Sequence, residues 1–128
     1  MGAYMRLVGV ISIAIGVGVI IQLILGINIA RGLHSLRDLH AFFGILGLIL
    51  VSYLFYYSIR YSTSMYLKIA SGATLLATFI QVALGLHLYM ATSIFISTIH
   101  FYTGVLLIIL IAVSGAISMR HARSSKRG

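Results

Sequence analysis

The architecture follows from the first long apolar stretch of the chain, which reads LVGVISIAIGVGVIIQLILGINIA from Leu7 to Ala30. This stretch contains no charged side chain, and about 20 helical residues are enough to cross the roughly 30 Å hydrocarbon core of a bilayer. Three more apolar stretches of similar length follow it. The four predicted spans are residues 7–30, 36–59, 67–90 and 94–118. The sequence therefore predicts an all-α integral membrane protein.

The connections between these spans are only a few residues long, so successive helices are expected to be antiparallel neighbours. Arg31-Gly32 ends the first helix, and Ser35 with Asp38 three residues later has the spacing of a capping box for the second. The whole chain, 1–128, is then a single transmembrane domain, an antiparallel four-helix bundle that ends in a basic tail at 119–128.

The composition excludes several classes of function. Of the 128 residues, 61% are hydrophobic, and Asp38 is the only residue with a carboxylate side chain. Carboxylate-bridged di-iron sites and paired-acid hydrolases both need more acids than this. The absence of cysteine excludes disulfides, thiolate metal sites and covalently attached haem. The net charge of +8 sits at helix ends and in the tail, which indicates contact with membrane lipid headgroups rather than nucleic acid.

The distribution of lysine and arginine predicts the orientation of the chain in the cell membrane. The side with more of them should be cytoplasmic, and it holds Arg6, Arg60, Lys68, Arg120, Arg123, Lys126 and Arg127. The opposite side holds only Arg31 and Arg37. Both termini are therefore predicted to be cytoplasmic, and a tyrosine belt would mark the inner interface, at Tyr53, Tyr56, Tyr57, Tyr61 and Tyr66.

Two short motifs occur twice in the same order. Gln22-Leu-Ile-Leu-Gly26 matches Gln81-Val-Ala-Leu-Gly85, and His40-Ala-Phe-Phe-Gly44 matches His100-Phe-Tyr-Thr-Gly104. The offset is 59 residues for the first pair (22 to 81) and 60 for the second (40 to 100). The chain is therefore predicted to consist of two tandem helical hairpins, related by a pseudo-two-fold axis along the membrane normal, as in other parallel repeats.

In such a bundle the second and fourth helices are diagonal, so the repeat brings His40 and His100 face to face near the outer membrane surface. Two opposed imidazoles are the usual axial ligands of a six-coordinate haem, here of b or a type. Gly44 and Gly104 lie on the same helical faces and would open a groove for the porphyrin, which Gly47 extends. The alternative is that the histidines only hydrogen-bond between helices and the glycines only allow close packing.

Other residues near the outer face have candidate roles of their own. Arg31 and Arg37 would pair with the haem propionates, or alternatively reach lipid headgroups. His87 would contact a propionate or serve a second site, whereas His34 is expected to be solvated in the outer loop. His121 belongs to the basic tail. The glutamine and glycine faces of the first and third helices would let these two helices approach each other and hydrogen-bond across the bundle.

The pattern Gln-x-x-Leu-Gly followed by His-x-x-x-Gly on the next helix resembles the four-helix unit of the haem A synthase family. Members of that family typically carry two such units in tandem, with paired histidines on alternate helices near the outer face, and compact members carry one. The resemblance extends from Gln22 to about Leu110 and implies that His40 and His100 are axial haem ligands.

The chain departs from this family at the residues tied to catalysis. The family has a glutamate three residues before the helix-two histidine, whereas this chain has Arg37 there and Ser97 at the equivalent place before His100. The outer loop, which often carries cysteines in the family, is reduced to a few residues. The resemblance therefore implies haem binding without the residues that oxidise the haem methyl group.

These observations favour a membrane b-type cytochrome, or a haem-carrying subunit of an aerobic respiratory complex, because iron with two histidine ligands has no open position for oxygen. One alternative is a compact haem A synthase-like enzyme in which Asp38 or water replaces the glutamate. Another is a cofactor-free structural subunit of a membrane respiratory complex. The small extramembrane area indicates partners within the membrane, either other respiratory subunits or a second copy of the chain.

The predicted orientation can be tested with single cysteines, because the chain has none of its own. In intact cells, a membrane-impermeant maleimide should label a Ser35→Cys variant in the first connection. A Thr63→Cys variant in the second connection should react only after permeabilisation. The reverse labelling pattern would invert the topology.

Overall fold

The computed structural model describes the backbone of residues 2–124 and the side chains of residues 10–117, and this part of the chain contains four α-helices and no strand. The helices are α1 (Gly2–Ala30), α2 (Arg37–Tyr61), α3 (Met65–Met90) and α4 (Ile94–Ser124), with a 3-10 turn at His34–Leu36 before α2. Each of the four contains a segment long and apolar enough to cross a membrane. The predicted all-α class, with four helices of membrane-spanning length, is confirmed.

The predicted spans correspond to these helices with small shifts at the ends. The second span begins at residue 36, inside the 3-10 turn, and the backbone of α4 continues as far as Ser124. Residues 125–128 of the predicted basic tail lie outside the described residues. So do the side chains of the terminal cations and the tail histidine, Arg6, Arg120, His121, Arg123, Lys126 and Arg127.

The first helix ends at Arg31-Gly32, as predicted. Gly32 has a φ of 101°, which strains any residue with a Cβ. Its N–H donates to the carbonyl of Ile29 at 3.0 Å, and the N–H of Leu33 donates to that of Asn28 at 3.0 Å. These two bonds form a Schellman motif, which satisfies the last carbonyls of α1 and turns the chain towards α2.

The predicted capping box before α2 is wrong. The 3-10 turn places Leu36 at the N-cap position, and no side chain caps this helix end. Asp38 instead accepts a hydrogen bond from the hydroxyl of Tyr89 near the end of α3, at 2.7 Å. The carboxylate lies in the first turn of α2, where the positive end of the helix dipole favours it.

Each helix packs against the next one in the chain, and α1 also contacts α4. The interior is more polar than the exterior. The buried apolar cluster consists of Ile11, Ile15 and Val51. Among the side chains that the structure describes, five buried residues carry hydroxyl groups, namely Ser58, Ser71, Thr74, Thr78 and Ser114. Large apolar side chains instead cover the outside, as in Ile94, which is 90% exposed, so the surface is suited to lipid.

Four of these buried hydroxyls join neighbouring helices at the end of the bundle away from His40 and His100. Ser58 of α2 and Ser71 of α3 lie 2.6 Å apart, and Thr74 of α3 lies 3.1 Å from Ser114 of α4. Several of them also donate to carbonyls of their own helix, as Thr78 does to the carbonyl of Thr74 at 2.8 Å. Small hydroxyl residues thus combine close helix approach with polar contacts that lipid does not offer.

A double-mutant cycle on Ser58→Ala and Ser71→Ala measures the contribution of this contact. We expect a coupling of about 0.6 kcal/mol, the average for polar side-chain pairs within membranes. The measurement is unfolding in detergent micelles. The matched control is Ser52→Ala combined with Ser71→Ala, since the Ser52 hydroxyl donates to the carbonyl of Leu48 in its own helix. Equal coupling in both cycles would show that the hydroxyl pair does not stabilise the bundle.

Candidate functional site

The rings of His40 and His100 face each other across the bundle. His40 lies in the first turn of α2 and His100 in the second turn of α4, and both side chains are half-buried. Their ring centroids are 6.2 Å apart, with the planes inclined by 70°. Metal–nitrogen bonds are about 2 Å long, so one metal ion held between two imidazoles separates the ring centres by about 6 Å. The observed separation is compatible with this arrangement, and it is also an ordinary distance for two rings packed edge to face.

Each histidine is held by a glutamine from the preceding helix. Gln22 of α1 donates from Nε2 to the backbone carbonyl of His40 at 2.9 Å, and Gln81 of α3 donates to that of His100 at 3.0 Å. The sequence predicted that the glutamines would hydrogen-bond across the bundle between α1 and α3. They bond instead within their own hairpin, because the next helix offers the nearest carbonyl.

The glycine four residues after each histidine makes room for the glutamine. A Cβ atom added to Gly44 would lie 3.0 Å from Gln22 Nε2, and one added to Gly104 would lie 2.9 Å from Gln81 Nε2. The predicted groove beside these two glycines is therefore filled by the amide groups. Gly47, one turn further along α2, is different, since a Cβ there meets nothing within 4 Å.

The glycine four residues after each glutamine lies against a histidine ring. A Cβ on Gly26 would be 3.5 Å from Cε1 of His40, and a Cβ on Gly85 would be 3.2 Å from Cε1 of His100. In each hairpin the glutamine therefore packs against the glycine four residues after the histidine. The histidine ring packs against the glycine four residues after the glutamine. We call each such set of four residues a Gln–His clamp.

The two Gln–His clamps differ at the glutamine oxygen. Gln81 Oε1 accepts a hydrogen bond from the hydroxyl of Thr103 at 2.5 Å. Residue 43 is the counterpart of Thr103 in the first hairpin and is a phenylalanine. Gln22 Oε1 is buried and has no partner, and Nδ1 of both His40 and His100 is buried without a partner as well.

The other predicted site residues lie at the rim of the bundle. Arg31, His34 and His87 are exposed, and Arg37 is half-buried. None of these four side chains hydrogen-bonds to the histidine pair within the described residues. The structure thus brings together the two histidines, the two glutamines and four glycines, and it leaves the cations outside this cluster.

A cavity of about 70 Å³ lies at the other end of the bundle, near the connection between α2 and α3. Its lining includes Ser58, Ser71, Thr74 and Ser114. About 10–15 Å³ of such space is enough to hold one water, so this cavity has room for several waters. The cavity contains neither of the opposed histidines and is separate from the candidate site.

Sequence reasoning missed the Thr103–Gln81 bond, the Tyr89–Asp38 bond and the hydroxyl-lined interior. One signal was present for the last of these. Ser71, Thr74, Thr78 and Gln81 follow one another at steps of three and four residues, which places them on one face of α3. No family model, curated protein or solved structure matches this chain.

The role of the glycines in the clamps can be tested by adding a methyl group. Gly104→Ala forces the Gln81 amide away from the His100 carbonyl, whereas Gly47→Ala meets open space. Both variants gain helix propensity, so their difference isolates the lost hydrogen bond. We expect Gly104→Ala to be about 1 kcal/mol less stable than Gly47→Ala, measured by unfolding in detergent. Equal stabilities would show that the clamp does not depend on this glycine.

Proposed function

We propose that this protein binds one haem, of b or a type, between His40 and His100 and acts as a membrane cytochrome or haem-carrying subunit in respiratory electron transfer. The observation that supports this most strongly is the facing pair of imidazoles, 6.2 Å apart. A bound haem supplies a one-electron iron couple. The residues of the chain hold the ligands in place and keep the surroundings apolar.

The set of donor atoms suits haem better than a simple metal ion. Among the described residues no group of three or more His, Cys, Asp or Glu side chains is placed to hold a metal. Zinc sites use at least three protein ligands, whereas a haem iron needs only two, because the porphyrin provides four nitrogens. The buried and unpaired ring nitrogens are consistent with histidines that acquire a partner when the site is filled.

The two Gln–His clamps support a pseudo-two-fold relation between the hairpins, with the axis along the membrane normal. His40 and His100 would then hold the haem from two different helices at equal depth. With both termini cytoplasmic, the site lies near the outer face, where Arg31 and Arg37 are available to pair with the propionates. We propose lipid and neighbouring respiratory subunits, or a second copy of the chain, as the partners of the exposed apolar surface.

The haem A synthase-like alternative is less well supported by the residues present. Asp38 is the only side-chain carboxylate of the chain, and it is engaged by Tyr89 at the rim. The residues three positions before the histidines are Arg37 and Ser97. An electron carrier needs no acid beside the haem, so the cytochrome is the better proposal.

The decisive experiment is a reduced-minus-oxidised spectrum of the protein purified after expression with haem supplied. We expect an intense Soret band and the sharp bands of low-spin haem, lost in His40→Ala and in His100→Ala. His34→Ala and His87→Ala are the matched controls, since both side chains are exposed, and they should retain the spectrum.

A colourless wild-type protein would overturn the haem proposal and leave a cofactor-free subunit in which the clamps only pack helices. Mass analysis of the extracted haem separates the remaining two functions. Unmodified haem supports the cytochrome, whereas hydroxylated or formylated haem, formed during aerobic expression, would establish the enzyme.

A further inference from the structure

The cavity at the end of the bundle away from the histidine pair lies where all four helices meet. Its wall includes Ser12 of α1, Ser58 of α2, Ser71 and Thr74 of α3, and Ser114 of α4. Its volume is about 70 Å³, whereas a cavity that binds benzene measures about 150 Å³. The occupant of this cavity is therefore smaller than a six-membered ring.

The hydroxyls on the wall have used their hydrogens but not all of their lone pairs. A hydroxyl has one hydrogen and two lone pairs. Ser58 and Ser71 lie 2.6 Å apart, so one of them donates to the other. The acceptor of that bond donates its own hydrogen to a carbonyl of its helix at 2.8 Å. Both hydrogens are committed, and each oxygen keeps at least one lone pair.

The contact between Thr74 and Ser114 leaves the same balance. The Thr74 hydroxyl donates to the carbonyl of Ala70 at 2.8 Å, so the hydrogen in its 3.1 Å contact with Ser114 comes from Ser114. Both oxygens again keep a lone pair. The wall therefore presents acceptors that need hydrogen-bond donors, and lipid tails supply none.

The charge of the surroundings selects a neutral donor. Among the described residues that line the cavity, none is charged. Asp38, the only side-chain carboxylate, lies near the other end of the bundle and is engaged by Tyr89. A cation in the cavity would lack a counter-charge, and an anion would find no uncommitted hydrogen on these hydroxyls.

We propose that this cavity binds a cluster of water molecules, which donate to the hydroxyls and link the two hydroxyl pairs into one network. Water is neutral, small enough for the space and rich in donors. It enters from the connection between α2 and α3, because Ser62, the C-cap residue of α2, also lines the cavity. The proposal does not depend on haem binding.

The hydrated region ends part of the way across the bundle. Thr74 lies nine residues after Met65, the first residue of α3, which places it about 14 Å along the helix axis. Thr78 follows one turn later and is also buried, but it does not line the cavity. We therefore expect water at Thr74 and none at Thr78, which lies between the cavity and the histidine pair.

The test is the access of silver ions to single cysteines in the full chain reconstituted in liposomes. A thiol binds metal as the thiolate, which apolar surroundings suppress. Ser114→Cys places a thiol on the cavity wall, and silver should block its later labelling by maleimide in denaturant. Thr78→Cys is the control for burial, and Val113→Cys is the control for lipid exposure, since Val113 is 47% exposed on the outside. Both should keep full labelling.

Full labelling of Ser114→Cys after silver treatment, or equal protection of all three variants, would overturn the proposal. A measurement on the unmodified sequence covers the case in which a cysteine variant does not fold. In NMR spectra, magnetisation should pass from long-lived water to the Thr74 methyl group and not to that of Thr78. Transfer to both methyl groups, or to neither, would contradict a water cluster confined to this cavity.

Discussion

A glutamine amide placed inside an apolar bundle must find its hydrogen-bond partners within the protein, because lipid offers none. In this chain the Nε2 groups of Gln22 and Gln81 meet that requirement on the backbone carbonyls of His40 and His100, whereas Gln22 Oε1 is left without a partner. The rest of the site depends on these two bonds. They set how close each helix lies to the next, they require a residue without a side chain at the position four residues after each histidine, and they hold both histidines at a defined place along their helices.

The same constraint explains why the interior carries hydroxyls and the exterior carries large apolar side chains. In water, burial of apolar surface would drive the helices together, but lipid tails are as apolar as leucine and provide no such drive. Close packing and short polar contacts have to replace it. The Ser58–Ser71 and Thr74–Ser114 pairs do this at one end of the bundle, and the Gln–His clamps do so at the other.

The two Gln–His clamps of the candidate site share the same four residue types, but their hydrogen bonds are not identical. Thr103 donates to one glutamine oxygen, whereas Phe43 at the equivalent position cannot donate and the other glutamine oxygen has no partner. The repeat in the sequence predicts that His40 and His100 face each other, and the rings do lie 6.2 Å apart. The sequence does not show which side chain donates a hydrogen bond to each glutamine oxygen. That depends on helix rotation and on distances of a few ångströms, which spacing along the chain does not encode.

The sequence by itself determined the all-α class, the four segments of membrane-spanning length, the end of α1 at Gly32 and the pair of histidines to examine. These are properties of local hydropathy, local turn chemistry and internal repetition. Only the tertiary structure decided the partners of the glutamines, the filling of the space beside Gly44 and Gly104, and the bond between Asp38 and Tyr89. Each of these joins different helices. Many hydrogen-bond partners are compatible with the same pattern of apolar and polar residues, and the packing of the helices selects among them.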